Sequence, residues 1–190
     1  MSEFWDAEAA TFDDEPDHGL RDPEVREAWR RLLRDHLPEP PARVADLGCG
    51  TGTLSVLLAD EGYAVDGVDF SPEMVDAARE KAAGRPDLTF AVGDAGDPPF
   101  ERGAYDVVLC RHVLWALADP AAALASWAGL LGKDGRLVLV EGFWHTGGGL
   151  RATDAEALLR GAGREPTTYP LHEDAYWGGP INDERYLVVG

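Results

Sequence analysis

The first clear pattern along the chain is an apolar stripe in residues 23–37. Its positions follow the i, i+3, i+4, i+7 spacing of one helix face and are Val25, Ala28, Trp29, Leu32 and Leu33. Asp22 and Pro23 stand where an N-cap and a first-turn residue belong. The pattern predicts an amphipathic helix that packs against a core.

From Arg43 onward, short apolar runs alternate with amphipathic segments. The runs that predict strands are "RVADLG", "YAVDGVDF", "LTFAVGD", "YDVVLCRH" and "GRLVLVEG". The segments between them that predict helices are "TLSVLLADEG", "SPEMVDAAREKAAG" (with Ser71 as its N-cap) and "DPAAALASWAGLLG". This alternation predicts an α/β fold in which a doubly wound, mostly parallel sheet carries helices on both faces.

The last fifty residues are less regular. "TDAEALLRGAG" predicts a helix, and Thr153 and Glu156 have the spacing of a capping box. "REPTTYPL" and "ERYLVVG" predict two final strands, and the loop between them allows the last strand to run antiparallel. We interpret residues 1–190 as a single domain, with a helical N-terminal segment (1–38) that acts as a lid and an α/β core (43–190).

Composition narrows the possible functions. The net charge is −18, from 35 acidic and 17 basic residues, which argues against binding to nucleic acid or to an anionic membrane surface. It favours a neutral or cationic small-molecule substrate. The N-terminus lacks the apolar core of a signal peptide, and no run approaches a membrane span, so we expect a cytoplasmic protein.

The stretch "VADLGCGTGTLS" places three glycines at a strand-to-helix corner, spaced G-x-G-x-G. Such a turn lets a ligand approach the backbone and presents helix N-terminal N–H groups to it. Asp69 ends the next predicted strand, where a carboxylate can accept both hydroxyls of a ribose. Asp94 follows the third strand, where it can accept a hydrogen bond from an exocyclic amine.

These segments resemble the motifs of the class I S-adenosylmethionine-dependent methyltransferases. "VADLGCGTGTLS", "GVDFSPEMVDAAR", "VGDAGDPPF" and "YDVVLCRHVLWAL" match four motifs in order, and "GRLVLVEG" matches the fifth strand. The resemblance implies S-adenosylmethionine as cofactor. It also implies a seven-stranded sheet whose antiparallel strand seven lies between strands five and six.

The resemblance further assigns the cofactor site residue by residue. Asp46, Gly48 and Gly50 would line the methionine end, and Arg111 would lie near the cofactor. Around the ribose and adenine it implies a further set: Asp69, Phe70, Met74, Asp94 and Ala95. Phe12 would cover the cofactor beside the acceptor, at a position where the family more often has tyrosine.

A metal and a nucleic-acid base are both disfavoured as ligands. Asp97–Phe100 reads "DPPF", like the tetrapeptide with which amino-methylating DNA methyltransferases hold a flipped base, but here it follows strand three instead of strand four. Metal-assisted O-methylation needs acidic ligands after strand four, where Arg111 and His112 stand. We therefore expect no metal.

The acceptor pocket is expected beyond strands four and five. The aromatic side chains predicted to wall it are Trp115, Trp144 and Trp177, with Phe12 from the N-terminal segment. His112 is the first candidate for a general base and His145 the second, since either follows one of these strands. Their alternative role is structural.

The function predicted from the sequence is methyl transfer from S-adenosylmethionine to a small molecule, with an oxygen, nitrogen, sulfur or carbon nucleophile. Two alternatives stay open. One is a catalytically inactive S-adenosylmethionine-binding protein that acts through a partner. The other is a nucleotide-dependent oxidoreductase, which the glycine spacing disfavours because Thr53 stands where G-x-G-x-x-G requires its last glycine.

Overall fold

The computed structural model describes residues 2–190, which fold around one sheet of seven strands. The strands are β1 (Arg43–Leu47), β2 (Ala64–Asp69), β3 (Leu88–Val92), β4 (Tyr105–Arg111), β5 (Leu131–Phe143), β6 (Thr167–Pro170) and β7 (Glu184–Val189). The helices are α1 (Ser2–Glu8), α2 (Pro16–Gly19), α3 (Pro23–His36), α4 (Thr53–Asp60), α5 (Pro72–Ala82), α6 (Pro120–Ala128) and α7 (Ala152–Gly161). Short 3-10 turns cover Phe12–Asp14, Leu114–Ala116 and Asp174–Tyr176.

The strand order is β3-β2-β1-β4-β5-β7-β6. Strands β1 to β5 pair in parallel, and β7 is antiparallel to both β5 and β6. This confirms the predicted fold class, including the position of the antiparallel strand. Because the chain order reverses between β1 and β4, a crevice is expected at the carboxyl ends of these two strands.

Alternate strand residues face two separate apolar cores, as the pleat requires. Val44 belongs to the core formed with α3 and α4, whereas Ala45 belongs to the core formed with α6 and α7. Trp29 and Trp127 are fully buried, one in each core. Helices therefore cover both faces and leave the sheet's carboxyl edge free for a site.

Two of the three predicted helix N-caps are confirmed. The Asp22 carboxylate accepts the N–H of Glu24 at 2.8 Å, and the Ser71 hydroxyl accepts the N–H of Met74 at 3.2 Å. The capping box at Thr153 is wrong, because α7 begins one residue earlier and Thr153 lies inside it. Glu156 instead accepts a hydrogen bond from Thr168 on β6, at 2.7 Å.

No helix within residues 2–190 has the length and apolar character needed to cross a membrane.

Candidate functional site

A cavity of about 850 Å³ opens at the carboxyl edge of the sheet. This volume lies within the range of small-molecule sites, about 300–1,000 Å³. Its wall crosses the sheet from Asp94 after β3, past Asp69 and Gly48, to Trp144 after β5 and Arg185 on β7. One continuous space therefore joins the predicted cofactor corner to the predicted acceptor pocket.

The glycine corner lets the β1–α4 backbone approach the cavity. Gly48, Gly50 and Gly52 all have positive φ angles, of 75°, 54° and 74°. A Cβ on Gly48 would lie 2.3 Å from Cγ2 of Val113, too close for any side chain. A Cβ on Gly50 would lie 3.3 Å from the ring of Phe12. Glycine is therefore required by both conformation and space at Gly48.

Asp69 is held at the end of β2 by two backbone N–H groups. Gly50 N donates to one carboxylate oxygen at 2.9 Å, and Ser71 N donates to the other at 3.0 Å. Burial raises the pKa of this carboxyl, although these hydrogen bonds oppose the shift. A carboxylate has about four acceptor sites, so Asp69 can accept further hydrogen bonds from a ribose.

Asp46 lines the same wall one strand away and is 3% exposed. The Ser55 hydroxyl donates to its carboxylate at 2.5 Å. Burial raises the pKa of Asp46 to about 6, while Ser55 and the charge of Arg111 lower it. The carboxylate is therefore available near neutral pH to an ammonium group in the cavity.

The far end of the cofactor region is lined by Phe70, Met74, Asp94 and Ala95. The Asp94 carboxylate accepts the N–H of Gly96 at 2.7 Å, which fixes its direction. The carbonyl of Ala95 accepts Nε1 of Trp127 at 2.6 Å, which ties this loop to α6. This apolar slot with one carboxylate can hold an aromatic base that carries an amine.

Residues 2–19, which we call the N-terminal cover, lie over the cavity. Trp5, Phe12, Glu15, Asp17 and His18 of this segment line it. Hydrogen bonds tie the cover to the core at Asp6, Asp13 and Asp17. The Ser71 hydroxyl donates to Asp6, the Thr51 hydroxyl donates to Asp13, and the Arg111 guanidinium donates to the carbonyl of Asp17.

Arg111 therefore joins β4 to the cover from inside the cavity. Its guanidinium also lies 5.2 Å from the ring centroid of Trp29 on α3. Burial lowers the pKa of Arg111, opposed by the charges of Asp17, Asp46 and Asp13. A buried cation among these groups can bind a carboxylate at the methionine end of the site.

The acceptor end carries two of the predicted tryptophans. Trp115 and Trp144 line the cavity with ring centroids 5.1 Å apart. His112 lines it beside them, edge-on to Trp144 at 5.3 Å, and has a φ of +59°. The Trp115 indole donates to the His112 carbonyl at 2.9 Å. These rings form an apolar wall around one imidazole.

His112 is a neutral imidazole at neutral pH. Burial lowers its pKa well below the ordinary value, and the charges of Arg111 and Arg185 lower it further. Its Nε2 is buried and has no hydrogen-bond partner among residues 2–190. His112 can therefore accept a hydrogen bond from a substrate, but it is a weaker base than the near-neutral pKa of a general base requires.

Two predicted residues lie away from the cavity wall. Trp177 is 7% exposed, stacks behind His112 at 6.0 Å and donates its indole N–H to the Leu171 carbonyl. The His145 side chain is 79% exposed, with Nδ1 3.3 Å from the Asp183 carboxylate. Of the two candidate bases, His112 therefore lines the cavity and His145 does not.

Sequence comparison identifies the family. The family model described as a methyltransferase domain matches residues 45–139, which are half of the chain. The chain belongs to the methyltransferase-domain family. This confirms the resemblance to the class I S-adenosylmethionine-dependent methyltransferases, a family whose members use S-adenosylmethionine as cofactor.

Two curated relatives share this methyltransferase domain. The demethylmenaquinone methyltransferase of Beutenbergia cavernae is 40% identical over 114 residues, which are 60% of this chain and 46% of that protein. That of Renibacterium salmoninarum is 36% identical over 133 residues, which are 70% of this chain and 55% of that protein. This chain therefore spans about half the length of the relatives that it matches.

A solved structure shares the whole fold of this methyltransferase domain. It is a chain of the complex between the Haloferax volcanii Trm112 methyltransferase activator and a methyltransferase. The TM-score is 0.76 and the sequence identity is 24%. The match covers 98% of this chain and 96% of that one. The alignment thus includes the N-terminal and C-terminal segments as well as the central motifs.

Two further polar residues line the cavity of this methyltransferase domain: His18, which the sequence offered only as one of several histidines, and Arg185, which sequence reasoning missed. His18 stacks on Phe12 at 4.1 Å, and its buried Nδ1 has no partner among residues 2–190. Arg185 lines the acceptor end from β7. The one available signal for Arg185 was its position at the start of an antiparallel strand next to β5. Within residues 2–190, no group of three or more acidic, histidine or cysteine side chains has metal-site geometry.

Proposed function

We propose that this chain is a methyltransferase that moves a methyl group from S-adenosylmethionine to a small-molecule acceptor. The observation that carries the proposal is the single cavity that runs from Asp69 and the glycine corner to Trp115, Trp144 and His112. When bound, S-adenosylmethionine supplies an electrophilic methyl group on a sulfonium leaving group. The chain's own residues have to hold this cofactor, orient the acceptor and exclude water.

The residues at the cofactor end suit these contacts. Asp69 has free acceptor sites for ribose hydroxyls, and Gly48 and Gly50 leave the backbone open. Asp46 and Arg111 offer opposite charges for the ammonium and carboxylate of an amino acid. Phe70, Met74, Asp94 and Ala95 form the slot for the base.

At the acceptor end, alignment is the main contribution that we assign to the chain. Holding two reactants in line can supply a large share of a rate enhancement without any acid or base. His112 is the residue that we propose to accept a hydrogen bond from the acceptor's nucleophilic group. His145 remains a second candidate, although its exposure means that a loop movement has to bring it to the cavity.

We further propose that the N-terminal cover acts as a lid. It supplies one wall of the cavity, so a movement of the cover would widen the path by which the cofactor enters. Its ties to Ser71, Thr51 and Arg111 reach three different core elements. Closure would exclude water from the reacting groups.

The acceptor of the relatives is not carried over to this chain. Their name states that they act on demethylmenaquinone, but this chain spans only about half of their length. A catalytically inactive binding protein remains the alternative within this fold. It would bind S-adenosylmethionine without turnover, whereas an oxidoreductase would bind a nicotinamide cofactor instead.

Calorimetry with S-adenosylhomocysteine, S-adenosylmethionine and NAD tests the cofactor. We expect the first two to bind and NAD not to bind. Asp69→Asn should weaken binding by about 1–3 kcal/mol, the value of charge-assisted hydrogen bonds. Asp97→Asn is the matched control, because Asp97 is exposed and lies outside the cavity wall. Equal affinity in the wild type and Asp69→Asn would contradict the ribose assignment.

Methyl transfer itself is tested with methyl-labelled S-adenosylmethionine and a deproteinised metabolite extract. We expect label in a low-molecular-weight product that depends on the protein and disappears with Asp69→Asn. Cofactor binding without any labelled product would favour the inactive binding protein.

A further inference from the structure

Arg185 brings a cation to the acceptor end of the cavity. It lies near the start of β7 and pairs with Gly142 of β5, because β7 runs antiparallel. This pairing places it at the same sheet edge as the carboxyl ends of the parallel strands. Its side chain is 12% exposed and lines the cavity.

The guanidinium of Arg185 is held in a fixed orientation. Its Cζ lies 4.8 Å from the ring centroid of Trp177 and 5.4 Å from that of Trp144. One terminal nitrogen donates to Asp183 at 3.0 Å. Trp177, which does not itself line the cavity, therefore has the role of supporting this cation and His112.

The hydrogen-bonding capacity of Arg185 is only partly used. A guanidinium has five N–H donors in a rigid fork, and the hydrogen bond to Asp183 uses one nitrogen. Its Nε is buried and has no partner among residues 2–190. Because an unsatisfied buried donor is costly, the remaining N–H groups are suited to a ligand in the cavity.

The charges around the cavity are separated along its length. The carboxylates of Asp46, Asp69 and Asp94 lie toward the cofactor end, and those of Glu15 and Asp17 lie on the cover. The acceptor end is lined by Val113, Trp115, Leu117, Ala118 and Trp144, with Arg185. Among these lining residues Arg185 is the one with a charged side chain, and Asp183, which pairs with it, lies outside the wall.

We propose that the methyl acceptor carries a carboxylate or phosphate group that binds Arg185, on an apolar body that packs against Trp115 and Trp144. This inference rests on the proposed function, since it identifies the substrate class of the same site. It reverses the expectation of a neutral or cationic substrate, because the charged side chain that lines the acceptor end is Arg185. A planar guanidinium binds such anions through two parallel hydrogen bonds.

Three ligands that share a naphthalene ring test the preference of the acceptor end for an anion. They are 2-naphthoate, 2-naphthyl phosphate and the neutral 2-naphthamide, titrated by calorimetry into protein saturated with S-adenosylhomocysteine. We expect at least one anion to bind about tenfold or more tighter than the amide. The two anions distinguish a carboxylate acceptor from a phosphate acceptor. Equal binding of all three ligands, or no binding of either anion, would overturn the inference.

Arg185→Gln should abolish the preference for the anion while the affinity for S-adenosylhomocysteine stays unchanged. Arg151→Gln is the matched control, because Arg151 also pairs with an acidic residue but lies outside the cavity wall. Retention of the preference in Arg185→Gln would assign the anion to another group and refute the role of Arg185.

Asp183→Asn should change anion binding in the direction opposite to Arg185→Gln. The asparagine keeps an acceptor for the His145 N–H, which donates to Asp183 at 2.7 Å, but removes the charge that offsets Arg185. We expect this variant to bind the anion more tightly than the wild type, and weaker binding would contradict the proposal. If S-adenosylhomocysteine fails to bind the wild type, the proposed function fails; if it binds without an anion preference, only this inference fails.

Discussion

The Asp13 carboxylate and the Lys81 ammonium lie 2.7 Å apart, and this ion pair joins the N-terminal cover to α5. Lys81 also donates to the hydroxyls of Thr51 and Thr53 at the start of α4, at 3.0 and 2.6 Å. Burial alone would raise the pKa of Asp13, but the hydrogen bonds from Lys81 and Thr51 outweigh it and lower that pKa. The cover is thus tied to the core by an ion pair that is partly buried.

The first prediction is that Asp13→Asn loosens the cover. The substitution removes one charge of a half-buried pair and leaves Lys81 without its counter-charge, so the closed cover should lose about 1–3 kcal/mol. Hydrogen exchange should become faster in residues 2–19 and stay unchanged in β4 and β5. S-adenosylhomocysteine should dissociate faster.

Asp14→Asn is the control for the loosened cover. Asp14 adjoins Asp13 but pairs with the exposed Arg21, at 60% and 68% side-chain exposure, and an exposed pair contributes little. If both variants exchange and dissociate alike, the pair of Asp13 and Lys81 does not hold the lid.

The second prediction concerns Gly48. Its φ of 75° disfavours any side chain, and a Cβ at this position would clash with the side chain of Val113. Gly48→Ala should therefore lose cofactor binding as well as stability. Gly84→Ala is a matched control, since Gly84 has the same φ of 75° but nothing within 4 Å of the point where a Cβ would lie. Both should lose about 1 kcal/mol from backbone strain, measured by urea unfolding.

Only Gly48→Ala should lose affinity for S-adenosylhomocysteine, measured by calorimetry. Adding Val113→Ala should restore part of its stability, because the clash is with Cγ2 of that side chain. Equal cofactor affinity in Gly48→Ala and Gly84→Ala would show that the corner does not need its close backbone approach.

The third prediction is a pH dependence from Glu141, a fully buried carboxyl on β5. One oxygen accepts the N–H groups of Val113 and Leu114 at 3.1 and 2.8 Å, and the other has no partner among residues 2–190. Burial raises the pKa of Glu141 to about 8, although these hydrogen bonds lower it. Glu141 therefore positions the turn after His112 in its protonated form.

The direction of the pH dependence follows from which state, folded or unfolded, binds the proton of Glu141. The pKa in the unfolded chain is about 4.3, so between that pH and 8 the folded protein holds a proton that the unfolded chain has released. The stability from this group is complete below about pH 4.3 and is lost as the pH rises through 8, by at most about 1.4 kcal/mol per unit.

Urea unfolding from about pH 7 to about 8.5 measures the loss of stability that Glu141 should cause. Burial lowers the pKa values of His18, His36 and His112 below their ordinary value, and so these groups contribute little slope in this window. Glu141→Gln keeps the size and the acceptor oxygen but does not titrate, so its stability should fall less with pH. Parallel curves for the two proteins would show that the carboxyl is ionised in the folded state.

Much of the fold could be predicted from the sequence because local patterns determine it. The stripe around Trp29, the N-caps at Asp22 and Ser71 and the alternating strands are all short-range signals. The carboxylate of Asp69 could also be placed, since it ends a strand next to the glycine corner. The strand order, by contrast, came from the family resemblance.

The walls of the cavity could not be predicted in the same way, because they join distant parts of the chain. The hydrogen bond from Arg111 to Asp17 spans 94 residues. Arg185 reaches the acceptor end only because β7 returns antiparallel beside β5. His145 follows β5 in sequence as His112 follows β4, yet its loop turns the side chain outward.

The last prediction separates His112 from His145 as the residue that contacts the acceptor. His112 has a φ of +59°, where alanine would add strain and asparagine is tolerated. His112→Asn is therefore a better test of the imidazole than His112→Ala. If His112 accepts a hydrogen bond from the acceptor, formation of the product found in the labelled screen should slow about tenfold or more. The affinity for S-adenosylhomocysteine should stay unchanged.

His145→Ala, which alters an exposed side chain, should keep the wild-type rate. A slow His145→Ala with a normal His112→Asn would reverse the assignment, and normal rates in both would leave alignment alone as the chain's contribution.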